Sequence, residues 1–271
     1  MTASIGIIGV GHLAGYLVEG LRRAGDGPVI VLSPRNAGKS RVLAERFDAR
    51  VAADNAHVVE EADTVILATR PAQAVQAAAG LPWRAGQVLI CVAAGIPLDA
   101  LAPVAGPATV VRAMPISCAA IGESPTSLYP DGPEARALFE RLGPVHALPD
   151  ETSFEAASVL GAFYGWVYAM LAEVTAWTEG HGVPSRTARD LVAETARGAT
   201  GMILDRPGES LAAMLETLRT PGGITNRGLE VLEEKEAVTA WGAACRAALE
   251  RTRQNAAKEP NRAQRNQERE L

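Results

Sequence analysis

The sequence predicts an α/β fold: a doubly wound, mainly parallel sheet followed by an all-helical C-terminal domain. Three observations carry that expectation. Residues 1–147 alternate short apolar runs with helical patterns. Several of those runs, such as Thr64-Val65-Ile66-Leu67-Ala68, are near-continuously apolar, which marks strands covered on both faces. From residue 151 to about 253 no strand pattern remains, and long helical patterns take its place.

The first strand, Ile5-Gly6-Ile7-Ile8, runs straight into Gly9-x-Gly11-x-x-Ala14, and a helical pattern with Leu13, Leu17 and Leu21 on one face follows at once. Strand, glycine turn and helix in that order are the context a dinucleotide-binding fingerprint requires. Gly9 permits the tight turn, Gly11 lets the backbone approach a pyrophosphate, and the small Ala14 allows close packing of helix on strand. His12 and Leu13 open the helix, whose free N–H groups and partial positive charge suit phosphate. A second strand is expected over 29–32, a polar helix over 37–47, a short strand near Val51 and a buried strand over 64–68. Pro71 opens the next helix at a position proline tolerates. Apolar strands follow over 87–93 and 109–113, then two last strands over 126–129 and 144–148 with a helix over 133–142 between them. The whole reads as a Rossmann-type sheet.

The second strand ends Val31-Leu32-Ser33-Pro34-Arg35, without the acid that would bond a ribose 2′-hydroxyl. Ser33 and Arg35 are read as holding a 2′-phosphate, with Lys39 adding positive potential, so NADPH is expected in preference to NADH. Ala68-Thr69-Arg70-Pro71, at the carboxyl end of a strand, is the next expected crevice-lining segment.

The formal net charge of −5 gives no global attraction to nucleic acid or to an anionic membrane. No charged-then-apolar leader and no uninterrupted apolar run of spanning length are read, so a cytoplasmic protein is expected. The three cysteines and four histidines are scattered and give neither a disulfide framework nor metal-ligand spacing, so no metal is expected. In the second half, helices are expected over 152–179, 184–204 and 225–253, the last with a break near Lys235, and a shorter one over 209–217. The domains are accordingly 1–149 for NADP, 150–253 for substrate and dimerisation, and 254–271 as a disordered tail. About a hundred helical residues bury their apolar faces better against a second copy, so a homodimer or higher homo-oligomer is expected.

Several of these motifs together resemble those of the pyrroline-5-carboxylate reductase family. Val65-Ile66-Leu67-Ala68-Thr69-Arg70-Pro71 is similar to the family's strand ending in Val-Lys-Pro, and Ala93-Ala94-Gly95-Ile96 to its small-residue turn. Val111-Arg112-Ala113-Met114-Pro115 resembles the start of its Arg-x-Met-Pro-Asn-Thr-Pro motif. Thr220-Pro221-Gly222-Gly223-Ile224-Thr225 resembles its Ser-Pro-Gly-Gly-Thr-Thr signature. The resemblance spans residues 3–250 and implies NADPH-dependent reduction of a cyclic imine, 1-pyrroline-5-carboxylate, to L-proline. It implies that Ala94, Gly95, Met114 and Pro115 line the cofactor. It also implies that Gly222, Gly223 and Ile224 hold a substrate carboxylate and that Thr225 contacts the ring nitrogen. A Pro-Gly-Gly turn opening a helix has its own physical logic, since it presents free N–H groups to a carboxylate. The chain departs from the family pattern at Ile116-Ser117-Cys118 and at Leu160-Gly161-Ala162-Phe163-Tyr164-Gly165-Trp166. The second run makes Tyr164 a candidate proton donor in a reshaped pocket. Two alternatives stay open: a reductase of the same family acting on another imine or a keto compound, and a non-catalytic dinucleotide-binding protein.

Overall fold

The computed structural model describes residues 4–25 and 27–267, with side-chain surroundings to residue 254. The chain divides into two compact units, Met1–Gly161 together with Leu249–Leu271, and Ala162–Ala248.

The first unit is built on an eight-stranded sheet. Its elements are β1 (Ser4–Ile8), α1 (His12–Arg23), β2 (Val29–Leu32), α2 (Ala37–Phe47), β3 (Arg50–Val51), α3 (Asn55–Glu61), β4 (Thr64–Leu67), α4 (Ala74–Ala78), β5 (Val88–Cys91), α5 (Leu98–Ala105), β6 (Thr109–Met114), β7 (Thr126–Tyr129), α6 (Pro133–Glu140), β8 (Val145–Ala147) and α7 (Glu151–Ser158). The strand order is β3-β2-β1-β4-β5-β6-β7-β8. Every pairing is parallel except β6 with β7. The order reverses between β1 and β4, so the crevice at their carboxyl ends is the expected ligand site of an open α/β sheet.

Apolar runs buried on both faces explain the two cores. Ile5, Ile7, Ile30, Leu32 and Ile66 point to the face covered by Leu17 and Leu21 of α1 and Leu138 and Phe139 of α6. Ile8, Val31, Val65, Leu67 and Leu89 point to the other, covered by Val58 and Val59 of α3 and Leu101 of α5. Two short helices escape the sequence reading. In α3, Asp54 caps the helix by accepting from the His57 N–H at 2.9 Å. In α5, Pro97 stands at the N-cap and Pro103 inside, a composition that reads as a loop.

The second unit is helical: most of α8 (Leu160–Gly180), then α9 (Ser185–Asp205), α10 (Leu211–Glu216), α11 (Ile224–Glu234) and the first part of α12 (Ala237–Gln267). The break near Lys235 is where the sequence places it, with Glu236 at φ +55°. α7 belongs to the first compact unit, where Phe154 is buried and Glu151 meets Arg112. Two expectations are corrected. The helix expected over 152–179 is two, α7 and α8, separated at Val159. The last helix runs to Gln267, past residue 253, through a stretch rich in the helix formers Ala, Arg, Gln, Lys and Glu, while 268–271 lie outside the described residues.

Among the described residues of the second unit, Ala188 is the one fully buried apolar residue. Ile224 is 93 % exposed, Leu204 82 % and Trp177 64 %. Glu151–Gly180 contains a window of mean hydropathy 1.3, of which 6 % is buried. By length and composition alone that segment passes as a membrane span, and single Gly, Thr and Glu residues interrupt its apolar run, as the sequence reading has it.

Candidate active site

The glycine loop joins β1 to α1 at the switch point. Gly9 adopts φ +99°, and a Cβ there would lie 2.7 Å from the Ala68 carbonyl carbon and the Thr69 nitrogen. Only glycine allows β4's end to approach so closely. Gly11 N-caps α1 at φ −102° with no side-chain cap, and a Cβ on it would meet nothing within 4 Å. The first-turn N–H groups of α1, which have no intrahelical partner, therefore open onto free space. Ala14 is fully buried against the sheet, as close packing of helix on strand requires.

Ser33 is corrected. It is 1 % exposed, and its Oγ accepts from the Gly9 N–H at 3.0 Å, while its carbonyl accepts from Ser40 Oγ at 2.8 Å. Its short side chain at the end of β2 points back into the glycine loop, so it braces the loop instead of facing a 2′-phosphate. Arg35 and Lys39 are exposed and make no ion pair among the described residues. A cavity of about 530 Å³ starts at Gly11 and His12 and runs between α1 and α2 past Tyr16, Lys39 and Val42.

The other expected crevice segments lie at the carboxyl ends of β4, β5 and β6. Ala68 is half-buried, with its N–H bonded to the Ile8 carbonyl at 2.8 Å. Thr69 Oγ1 is buried without a hydrogen-bond partner among the described residues, Arg70 is exposed, and Pro71 opens a short 3₁₀ turn. Ala94 is half-buried, and Gly95, at φ +76°, is buried against Thr252. Met114 is half-buried and Pro115 buried. Ile116 donates its N–H to Ser124 Oγ at 2.9 Å, and Ser117–Ile121 forms a 3₁₀ turn. That turn packs on Gly20 of α1 through the Ala119 backbone.

In the second unit, the Thr220–Thr225 turn opens α11. Gly222 has φ +72°, Gly223 is the N-cap with no side-chain cap, and its N–H donates to the Thr220 carbonyl at 2.9 Å. A Cβ on Gly223 would collide with Thr220 Oγ1. Arg219 braces the turn from before, donating to Asn226 Oδ1 at 3.3 Å and pairing with Glu233 at 3.0 Å. Thr225 and Ile224 are exposed, and the first-turn amides are left for an anion. Tyr164 is half-buried on α8, with its Oη 2.6 Å from that of Tyr168. Phe163 packs edge-on against Trp166 and Trp241, with ring centroids 6.4 and 6.2 Å apart.

Sequence reasoning missed Arg112. It is 1 % exposed in β6, bonded to Glu151 at 2.6 Å and stacked over Phe154. An arginine inside an otherwise apolar strand is itself the signal, because it demands a buried acceptor. Burial pushes the Cys91 thiol up to about 11, which removes it from thiolate chemistry at neutral pH. No group of three His, Cys, Asp or Glu side chains suited to a metal occurs among the described residues.

A dinucleotide fits the residues present: the space over Gly11 is one a Cβ would fill, and uncapped helix N–H groups border it. Comparison with known proteins agrees with both halves. Residues 4–95 match the family described as NADP oxidoreductase, coenzyme F420-dependent. Residues 151–255 match pyrroline-5-carboxylate reductase dimerisation. The pyrroline-5-carboxylate reductase of Pseudomonas aeruginosa is 30 % identical over 241 residues, covering 84 % of this chain and 88 % of that protein. That of Methanosarcina acetivorans is 27 % identical over 250 residues, 85 % of this chain and 89 % of its own. Among solved structures, the Streptococcus pyogenes enzyme superposes with a TM-score of 0.82 at 24 % identity, covering 93 % of this chain and 98 % of that one. At under a quarter identity, that likeness speaks for the fold.

Fold and loop together define an NAD(P)H-dependent oxidoreductase. The end-to-end match to the Pseudomonas relative narrows the class, and the chain belongs to the pyrroline-5-carboxylate reductase family. Its dimerisation segment supports homo-oligomerisation.

Proposed function

We propose that the chain reduces 1-pyrroline-5-carboxylate to L-proline with NADPH, as a homodimer or higher homo-oligomer. The observation that carries this reading is the Thr220–Thr225 turn, an uncapped helix N-terminus with an adjacent hydroxyl, in a chain of this family that also keeps an open glycine loop. A reduced nicotinamide, when bound, supplies a hydride to the carbon of a C=N bond. The chain's own residues bind and orient. The His12 and Leu13 amides would hold the pyrophosphate over the open face of Gly11, whose own N–H donates to the Gly9 carbonyl at 3.1 Å. Arg35, with Lys39 near it in sequence, offers a fork of donors to the 2′-phosphate and favours NADPH. The Gly222, Ile224 and Thr225 backbone N–H groups clamp the substrate carboxylate, the Gly223 N–H, bonded to the Thr220 carbonyl, shapes the turn, and the Thr225 hydroxyl orients the ring nitrogen. A protonated imine is already a strong electrophile, so positioning suffices and no dedicated strong acid is needed. Tyr164, paired with Tyr168, is the candidate to exchange a proton with that nitrogen. The exposed apolar faces of the second unit are covered by the second copy.

The test is NADPH oxidation by the purified protein with pyrroline-5-carboxylate, beside bulkier cyclic imines and with NADH as competitor. Turnover of pyrroline-5-carboxylate to proline is expected. Turnover confined to another imine refutes the substrate, and tight NADPH binding with no turnover refutes catalysis.

A further inference from the structure

Two turns at the carboxyl end of the sheet hang on one carboxylate oxygen. Oε1 of Glu151, the first residue of α7, accepts from Arg112 Nη1 at 2.6 Å and from the Leu98 backbone N–H at 2.9 Å. Leu98 opens α5, just after the Ala94–Gly95 turn, and Arg112 stands just before Met114 and Pro115 at the end of β6. The residue at the α5 N-cap is Pro97, which has no side-chain acceptor, so Glu151 supplies one from a distant part of the chain. The Arg112 guanidinium is 1 % exposed and lies over the Phe154 ring at 4.6 Å. Its Nε and Nη2 make no hydrogen bond among the described residues. A buried cation with so few acceptors depends on the one carboxylate it has. The middle of α12 reaches the same place: the Thr252 carbonyl oxygen lies 2.9 Å from where a Gly95 Cβ would stand, and Arg253 pairs with Glu155 of α7 at 3.2 Å.

We infer that Glu151 and Arg112 are positioning residues for the dinucleotide, a node that holds the Ala94–Gly95 turn and the Met114–Pro115 end in register as two walls of one crevice. This rests on the reading of those segments as cofactor-lining. The node acts at one remove: Glu151 fixes where α5 begins and where β6 ends, and those backbones present the wall.

The test compares the parent with Arg112→Met/Glu151→Leu, which removes both charges and orphans neither, and with Glu151→Gln, which keeps an acceptor but weakens it. The readouts are thermal melting, amide hydrogen exchange of the free protein over 93–98 and 113–116, NADPH affinity by titration, and the imine KM at saturating NADPH. The double variant is expected to melt close to the parent, to exchange faster in both segments, and to bind NADPH roughly tenfold or more weakly with the imine KM unchanged. Glu151→Gln should fall between in exchange and NADPH affinity but melt lower than both, because it leaves the buried guanidinium without its carboxylate, and it carries the test alone if the double variant does not fold. Folded variants with parental amide protection and parental NADPH affinity overturn the inference. A parent that binds no NADPH overturns the cofactor reading itself, whereas parental affinity in the variants overturns only the role of this pair.

Discussion

Gly11→Ala isolates what the glycine loop is for. At Gly11 the backbone has φ −102°, which any residue adopts, and the added Cβ meets no protein atom within 4 Å. Alanine is a poorer N-cap than glycine, so the stability loss is limited to about 1 kcal/mol. The new methyl occupies the space where a pyrophosphate must approach the α1 N–H groups. Losing one or two charge-assisted hydrogen bonds there costs about 2–4 kcal/mol, or roughly 30- to 1,000-fold in Kd. Gly9→Ala is the contrasting control. Its Cβ would sit 2.7 Å from Ala68 and Thr69 backbone atoms at φ +99°, so strain and collision together lower stability by about 2–6 kcal/mol. The assay is a fluorescence titration with NADPH beside urea denaturation of each variant. A Gly11→Ala protein that is stable and binds NADPH with parental affinity would refute the assignment of that space to the pyrophosphate.

Other outcomes are equally specific. Thr225→Ala should keep the fold, since its side chain is exposed, and lower kcat/KM for the imine by roughly ten- to a hundredfold; parental kinetics would remove Thr225 from the site. Arg35→Ala should weaken NADPH by about tenfold and leave NADH unchanged, and an equal shift in both would place Arg35 away from the 2′-phosphate. Gly20→Ala should destabilise by about 1–3 kcal/mol, because its Cβ would collide with the Ala119 carbonyl and lie 2.7 Å from Leu142 Cδ2; an unchanged urea midpoint would contradict that packing. Asp150 accepts from the Ser153 N–H at 2.7 Å, which holds its carboxyl below the ordinary value. Its contribution is therefore complete above about pH 3.9 and lost as pH falls through the depressed folded value, so the deficit of Asp150→Ala should vanish in acid.

The fold was legible wherever burial on both faces leaves a periodic mark. The covered strands β1, β2, β4 and β5 fall on apolar runs that pattern alone identifies, whereas Arg50–Val51 of β3 is exposed and carries no such mark. Two helices were not legible, α3 for its brevity and α5 for its prolines, since tertiary packing of Val58, Val59 and Leu101 overrides weak local preference. The glycine loop could be read because backbone geometry restricts residue choice there. Ser33 could not be read correctly: the same serine serves a phosphate or the Gly9 N–H equally well, and only the fold shows which one it faces.

The linear pattern of apolar runs, glycines and the Pro-Gly-Gly turn suffices to specify a nucleotide-binding sheet followed by helices. Periodicity and backbone freedom are local properties, written residue by residue. The Arg112–Glu151–Leu98 node, the break at Val159 and the return of α12 to Gly95 were decided only in three dimensions. Each joins residues far apart in the chain, and a buried charge does not announce its partner until folding brings the acceptor within hydrogen-bond reach.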